Sequence, residues 1–360
     1  QNAHQTLFEN KTTEEIFTTD LQSNLEKLRG ELAKVTFKAS EGGYSSSNSQ
    51  ERPLIGMRLL QPSFWPDQYI YSRLTSPVTG NHNRFSGAQK VFTGCPDEDE
   101  NLYRCRGFGF DVVGTVTTTT PSTSYYQDNI NYQNYNSERQ KLQTEFEGFT
   151  KGEWYINQFW TTLSIVKAFI NDRIANLPFG QSAAWKERQA RLAAASLAAL
   201  RLTPDEWQAQ RGTGDSSLET GSGAEKFHYA EVNSNLQDEL VANASMLSSA
   251  LSNLGVLPDN DVQFRELIDR LKTIRDITRK ELRGEALSSS DQQFISDVVR
   301  QYRVSREGER SVTVNLYDSV TNRNRTVKQN FSQLQLLVLV YEQNGKKFLA
   351  VGPVFNYSEQ

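Results

Sequence analysis

Apolar side chains recur at helical spacing through the second half of the chain. Leu236, Leu240, Ala244, Leu247, Leu251 and Leu254 make one seam. Asn233 or Ser234 would cap it, Ser234 and Gln237 supply an S-x-x-Q capping box, and Gly255 closes it. Phe264, Leu267, Ile268, Leu271, Ile274 and Ile277 make a second stripe that stops at Gly284. Phe294, Ile295, Val298, Val299 and Tyr302 make a third, with Ser288 to Ser290 as caps. Short connections between such helices favour antiparallel packing.

Earlier segments carry the same period. Leu21, Leu25, Leu28 and Leu32 predict a helix near the start, followed by a Gly/Ser-rich loop, "ASEGGYSSSNSQ". The segment from Ser137 leads into "EWYINQFWTTLSIVKAFINDRI", where Trp154, Phe159, Leu163, Val166, Phe169 and Ile170 share a face that Trp160 widens. Ser182 can cap the next helix, in which the small residues Ala193 to Ala199 let neighbours approach closely. The end of the chain changes period: "SVTVNLYDSV" alternates, and "LLVLVYEQNGKKFLAVGPVFNY" reads as strand, Asn344-Gly345 turn, strand.

The pattern predicts a mainly α fold: a multi-helix packed array with an irregular aromatic-rich segment and a small C-terminal antiparallel β-hairpin or sheet. Residues 1–52 form the N-terminal helix and loop, and residues 53–135 the irregular segment. Residues 136–305 form the helical body, and 306–360 the β-hairpin region packed on the same domain.

Composition narrows the function classes. With 360 residues and 37% hydrophobic content the chain can bury a sizeable core. A net charge of −4 and a pI near 5.6, with cations scattered among carboxylates, exclude a concentrated basic stripe, so nucleic acid is not an expected partner. No stretch reaches the ~20 apolar residues of a membrane span. Cys95 and Cys105 are the two cysteines, too far apart for a CxxC half-site. A local disulfide is the expectation, with two free buried thiols as the alternative.

Motifs for chemistry are sparse. G-x-S-x-G, HExxH and P-loop patterns are absent, and three dispersed histidines do not build a zinc site, so no catalytic residue, cofactor or metal is predicted. "GFGF" lacks the G-x-G-x-x-G spacing and a following amphipathic helix. "PDEDEN" at Pro96–Asn101 lacks the alternating ligands of a calcium loop and reads as a solvated hairpin tip. Trp65, Asp67, Tyr69, Tyr71 and Trp154 would line an aromatic groove for a glycan or peptide, or else fill the core. Glu225, His228, Tyr229 and Glu231 form a weaker polar cluster, with an entry turn into a packed helix as the plainer reading. Asp67, Asp111, Glu231 and Glu281 are the carboxylates that a glycosidase-like centre would draw on.

Six separated strings stand in order: "GMRLLQPSFWPDQYIYSRL", the helix led by Trp154, "SAAWKERQARLAAASLAALR", "HYAEVNSNLQDEL", "TRKELRGEALSSSDQQFI" and "KKFLAVGPVFNY". From about Thr12 to the C-terminus the chain resembles the C-terminal part of the family of unknown function numbered three-one-six-zero. The resemblance implies an exported or surface-associated protein, since members are often so placed and usually carry a further N-terminal region. A processed chain bound to the N-terminal fragment of its own precursor is therefore one expected partnership. Two departures limit any carry-over of chemistry: Arg201 is followed by Leu202, Thr203 and Pro204 where the family has an Arg-His-Asp-Thr run, and Val232 stands where the family has proline.

The expected function is that of a non-catalytic scaffold or binding subunit in a larger assembly, located outside the cell, in the periplasm or at the cell surface. The alternative is an acidic-residue hydrolase acting on glycan or peptide. An open cleft with convergent carboxylates would favour the hydrolase, and a large exposed apolar patch the subunit.

Overall fold

A computed structural model describes residues 26–27, 30, 43–44, 67–83, 92–117, 129–170, 179–202, 228–258, 261–301, 311–318, 320–321, 323–331, 334–343 and 346–360. The predicted helix of Leu21, Leu25, Leu28 and Leu32 and the Asn344-Gly345 turn lie outside the described residues. The elements in chain order are β1 (Gly43–Tyr44), α1 (Asp67–Arg73), β2 (Gly94–Pro96), β3 (Leu102–Arg104), α2 (Gly109–Val116), α3 (Tyr135–Glu147), α4 (Lys151–Trp154), α5 (Gln158–Ala168), α6 (Ala183–Ala199), α7 (Ser234–Asn253), α8 (Val262–Leu282), α9 (Ser289–Gln301), β4 (Ser311–Asp318), β5 (Arg323–Asn330), β6 (Leu334–Gln343), β7 (Lys346–Phe355) and β8 (Ser358–Glu359). The fold is mainly helical, as the periodicity predicts.

The centre of the body is α2, in which every residue from Gly109 to Val116 is buried. It lies among α1, α3, α5 and α6. A helix enclosed on all sides needs no polar face, and in "GFDVVGTV" only Asp111 and Thr115 carry polar side chains. The segment 53–135, expected to be irregular, thus holds two short helices, and "GFGF" does lead into one. Small side chains carry the close approach of α6: Ala193, Ala194 and Ala198 are buried against the core.

The predicted continuous helix through Trp154 and Trp160 is broken. One turn, α4, ends at Trp154, and Asn157 then caps α5 by accepting a hydrogen bond from the Trp160 N–H at 3.0 Å. A cap oxygen competing for the backbone outweighs the apolar period here. Thr161 to Val166 are all buried, so α5 is covered on more than one side.

α7 and α8 pack antiparallel, joined at one end by the segment after Asn253. At the other end Arg279 Nη2 meets Asp238 Oδ1 at 2.9 Å. Gly255 and Gly284 both take left-handed φ of +66° and +70° just past their helices, where a Cβ would be strained. Val256 N donates to Leu251 O and Glu285 N to Lys280 O, the six-to-one bonds of a Schellman stop. Of the two predicted caps for α7, Asn233 is the one used. It accepts from Leu236 N at 3.1 Å, and Gln237 turns instead to Glu231 O. For α9 the cap is Ser288, in a capping box with Asp291.

The four-stranded sheet has the order β1-β4-β5-β8, antiparallel throughout. Gly43–Tyr44, inside the predicted loop, adds β1 to its edge. β5, "RNRTVKQN", escapes the sequence reading because Val327 is its one apolar residue. Val327 and Gln329 face inward with 1% exposure each. β6 and β7 form the predicted hairpin as a separate two-stranded sheet.

Cys95 and Cys105 are bonded across β2 and β3. Tyr103, the register partner of Cys95, donates to Asp318 Oδ2 at 2.7 Å, so this hairpin is pinned to the end of β4. Asp318 also accepts from Thr321 and Arg325. Replacing both cysteines by serine is expected to lower the unfolding free energy by about 2–3 kcal/mol, measured as a shifted urea midpoint. Wild type in reductant should reproduce that shift.

Candidate functional site

The polar cluster around His228 is spread over four helices. The His228 N–H donates to Gln292 Oε1 at 2.6 Å, and Gln292 Nε2 returns a bond to His228 O at 3.0 Å, which holds the chain to α9. The Ala230 N–H donates to Glu281 Oε1 of α8 at 3.0 Å. Glu231 pairs with Arg188 of α6. Asn233 Nδ2 donates to Ala168 O and Phe169 O at the end of α5. Tyr229 is exposed, and Glu225 lies outside the described residues. The stretch 228–233 therefore works as a clasp joining α5, α6, α8 and α9 at the entry to α7. Burial pushes the Glu281 carboxyl up to about 7, against the hydrogen bond from Ala230.

The aromatic set does not converge on an open groove. Asp67, Tyr71 and Trp154 are 0, 1 and 6% exposed. Trp154 stacks on Phe146, with centroids 5.7 Å apart and planes at 29°, and meets Phe149 and Trp160 at 5.2 and 6.4 Å. Tyr69 packs edge-on against Phe146 and donates its hydroxyl to Glu145 at 2.9 Å. The aromatic side chains are large enough to fill the space between the loop-rich segment and the helices, and burial is where their area stabilises most. Trp65 lies outside the described residues.

The four candidate carboxylates are likewise held apart in separate pairs. Asp67 forms a buried ion pair with Arg201. Asp111 is fully buried against Arg104 at 2.7 Å, and accepts from Tyr135 Oη at 2.7 Å and from the Phe108 N–H at 3.0 Å. Arg104 in turn donates to Asn129 Oδ1 at 3.0 Å and to Leu74 O, and lies over the Tyr135 ring. Glu231 is taken by Arg188. Asp67 Oδ1 and Oδ2 and Glu281 Oε2 are buried without a hydrogen-bond partner, but Asp67 has the ion pair with Arg201 beside it.

The start of α2 is occupied by the protein's own carboxylates. Asp111 caps Phe108, and Glu359 of β8 accepts from the Gly109 N–H at 2.7 Å and from Gln329 Nε2 at 2.8 Å, with Tyr357 Oη as a third donor. Gln329 also accepts from Arg201, which links this end of α2 to the Asp67 pair. Helix N-termini attract anions, so a phosphate site here is filled from within. Burial pushes Glu359 up to about 7, with the Asp111 charge adding to it and the three hydrogen bonds opposing it. Between an unfolded value of 4.5 and about 7 the folded chain keeps a proton that the unfolded chain releases. The contribution of Glu359 to stability therefore falls as pH rises through that window. Glu359→Gln is expected to flatten this slope, leaving the variant about 2 kcal/mol more stable than wild type at pH 8 but not at pH 4.5, by urea titration at both.

Open surface also remains among the described residues. A cleft of about 440 Å³ between α4 and α7 is lined by Lys151, Gly152, Tyr155, Asp238, Glu239 and Ala242. Its acids are engaged: Glu239 accepts from Tyr155 and from Ser164, and Asp238 meets Arg279. The far end of the α7–α8 pair is apolar and open, with Leu254, Val256 and Val262 exposed by 75, 65 and 60%. The regular leucine seam predicted for α7 is thus covered in part: Ala244 is buried, Leu247 and Leu251 are half-buried, and Leu254 faces water. In the "PDEDEN" tip Asp97 accepts from the N–H groups of Asp99 and Asn101, closing its own turn. No metal-binding cluster occurs among the described residues.

Arg104, Arg201, Gln329, Tyr357 and Glu359 are not legible in the sequence as polar partners, the first, third and fourth buried and the other two half-buried. Single polar residues in strand and loop sequences carry no sign of burial, and their partners lie far away in the chain. No helix among the described residues is long and apolar enough to cross a membrane. No curated protein and no solved structure matches the chain. A family model described as a protein of unknown function, DUF3160, matches residues 1–360, beyond the Thr12 start of the sequence resemblance. The chain belongs to this family of unknown function, DUF3160.

Proposed function

We propose that this chain is a non-catalytic binding subunit, exported or surface-associated, that holds a protein partner on the end of its α7–α8 arm. The observation that carries this reading is the apolar end of the arm, Leu254, Val256 and Val262, at a place where α8 packs mainly on α7. Contiguous exposed apolar side chains favour association. The body supports the same reading, because Asp67, Asp111 and Glu231 are neutralised by arginines rather than turned to a cleft. The Cys95–Cys105 bond fits an oxidising compartment.

The first partner to test is the N-terminal region that longer family members carry. Titration calorimetry with that region should give saturable binding to wild type and none to a Leu254→Glu, Val256→Glu, Val262→Glu variant of unchanged melting temperature. Equal binding by the variant would remove the arm from the account. The second reading, an acidic-residue hydrolase on glycan or peptide, draws on Glu281, whose raised carboxyl has a free buried oxygen. Hydrolysis of a glycan or peptide panel that Glu281→Gln abolishes would favour it.

A further inference from the structure

The cleft between α4 and α7 lies at the step where the helix through Trp154 breaks. Tyr155 falls in that step, and Gly152 and Ala242 are too small to fill the space beside it. Its volume of about 440 Å³ is within the ~300–1,000 Å³ of small-molecule sites. The Tyr155 hydroxyl donates to Glu239 Oε2, which also accepts from Ser164 Oγ at 3.1 Å, so ring and carboxylate are held to each other and to α5. Burial, this hydrogen bond and the Glu239 charge raise the Tyr155 hydroxyl above its usual range, and it stays protonated. Each acid of the cleft spends only one oxygen on the protein. Glu239 uses Oε2, and Asp238 gives Oδ1 to Arg279 at 2.9 Å and to Arg275 at 3.9 Å. Among the described residues Glu239 Oε1 and Asp238 Oδ2 accept no hydrogen bond, and the exposed Lys151 ammonium on the α4 side has no partner.

We propose that this cleft binds one hexose unit of a neutral glycan, with the sugar ring against Tyr155 and its hydroxyls donating to Asp238 and Glu239. A tyrosine ring offers the apolar contact on which the C–H face of a sugar packs. The open oxygens Glu239 Oε1 and Asp238 Oδ2 accept hydroxyl donors in charge-assisted bonds, and Lys151 donates to a sugar oxygen from the α4 side. With Arg279 on Asp238, and Lys151 and Glu239 sharing the lining, the charges of the cleft balance. A neutral, hydroxyl-rich ligand therefore enters without bringing an unmatched charge. The cleft is separate from the open end of the α7–α8 arm, and the inference stands whether or not the arm binds a partner.

Saturation-transfer NMR on the purified chain with maltose, cellobiose, mannobiose and chitobiose tests it. At least one of these disaccharides is expected to receive transfer at its ring protons, saturating below ~50 mM. Ala242→Trp, at an exposed position of α7, fills the cleft from outside the core and should abolish the transfer. Lys151→Ala removes one charge-assisted hydrogen bond and should weaken binding about tenfold. If the tryptophan variant melts lower than wild type, Lys151→Ala decides, because Lys151 is exposed. A wild type that binds none of the four sugars would overturn the inference, as would either folded variant binding as wild type does. Tighter binding of arginine amide than of every disaccharide would also overturn it, because the open carboxylate oxygens would then serve a cationic side chain.

Discussion

Exchange of Arg104 for methionine is expected to lower the unfolding free energy by about 3–5 kcal/mol. Asp111 would keep the hydrogen bonds from Tyr135 and Phe108 but lose its only buried cation, at a site with no exposure. Asn129 Oδ1 and Leu74 O would also lose their guanidinium donor. An uncompensated buried charge costs more than the pair contributes, so the loss reflects the partner left behind. Arg104→Met with Asp111→Asn should therefore be more stable than Arg104→Met alone, by a double-mutant cycle in urea. A single substitution costing under about 1 kcal/mol would mean that water reaches Asp111 and that α2 is not enclosed.

Trp154→Ala is the second large effect, also about 3–5 kcal/mol. The indole fills the space among Phe146, Phe149 and Trp160, and Lys167 Nζ lies 5.2 Å from its ring centroid. Alanine would leave a cavity lined by aromatic faces that cannot collapse without shifting α4 and α5. The near-ultraviolet circular dichroism should lose intensity with it, since stacked aromatics dominate that signal. Trp154→Phe keeps a ring in the site and is expected to cost under about 2 kcal/mol. An alanine variant as stable as wild type would put Trp154 at an open surface after all, as the lining of a groove.

The helices that read clearly from sequence are those with one wet face and marked ends. α7 and α8 announced themselves through periodic leucines and isoleucines, with Gly255 and Gly284 at the stops. α2 did not, because eight residues that include two glycines are too short a stretch for the helical period to be read with assurance. β5 did not either, since Arg323, Arg325 and Gln329 occupy positions where an apolar residue would have marked the inner face. At Asn157 a local cap overrode a good apolar period. The candidate sites were harder still. His228, Tyr229 and Glu231 adjoin in sequence, yet their bonds lead away to different helices. Asp67 and Glu359 are nearly 300 positions apart, yet Arg201 and Gln329 connect them. Adjacency in the chain says little about convergence when each side chain is drawn to a different long-range partner.

The proposed role is that of a non-catalytic subunit that takes a partner at the open end of its helical arm. The intact native mass of the protein taken from its own source tests this most directly, with the co-purifying chains identified and the same sample assayed on a glycan and peptide panel. A stoichiometric second chain of different mass, lost on introducing glutamate at Leu254, Val256 and Val262, with no hydrolysis, is the predicted result. A protein that carries no second chain and cleaves a member of the panel would contradict it.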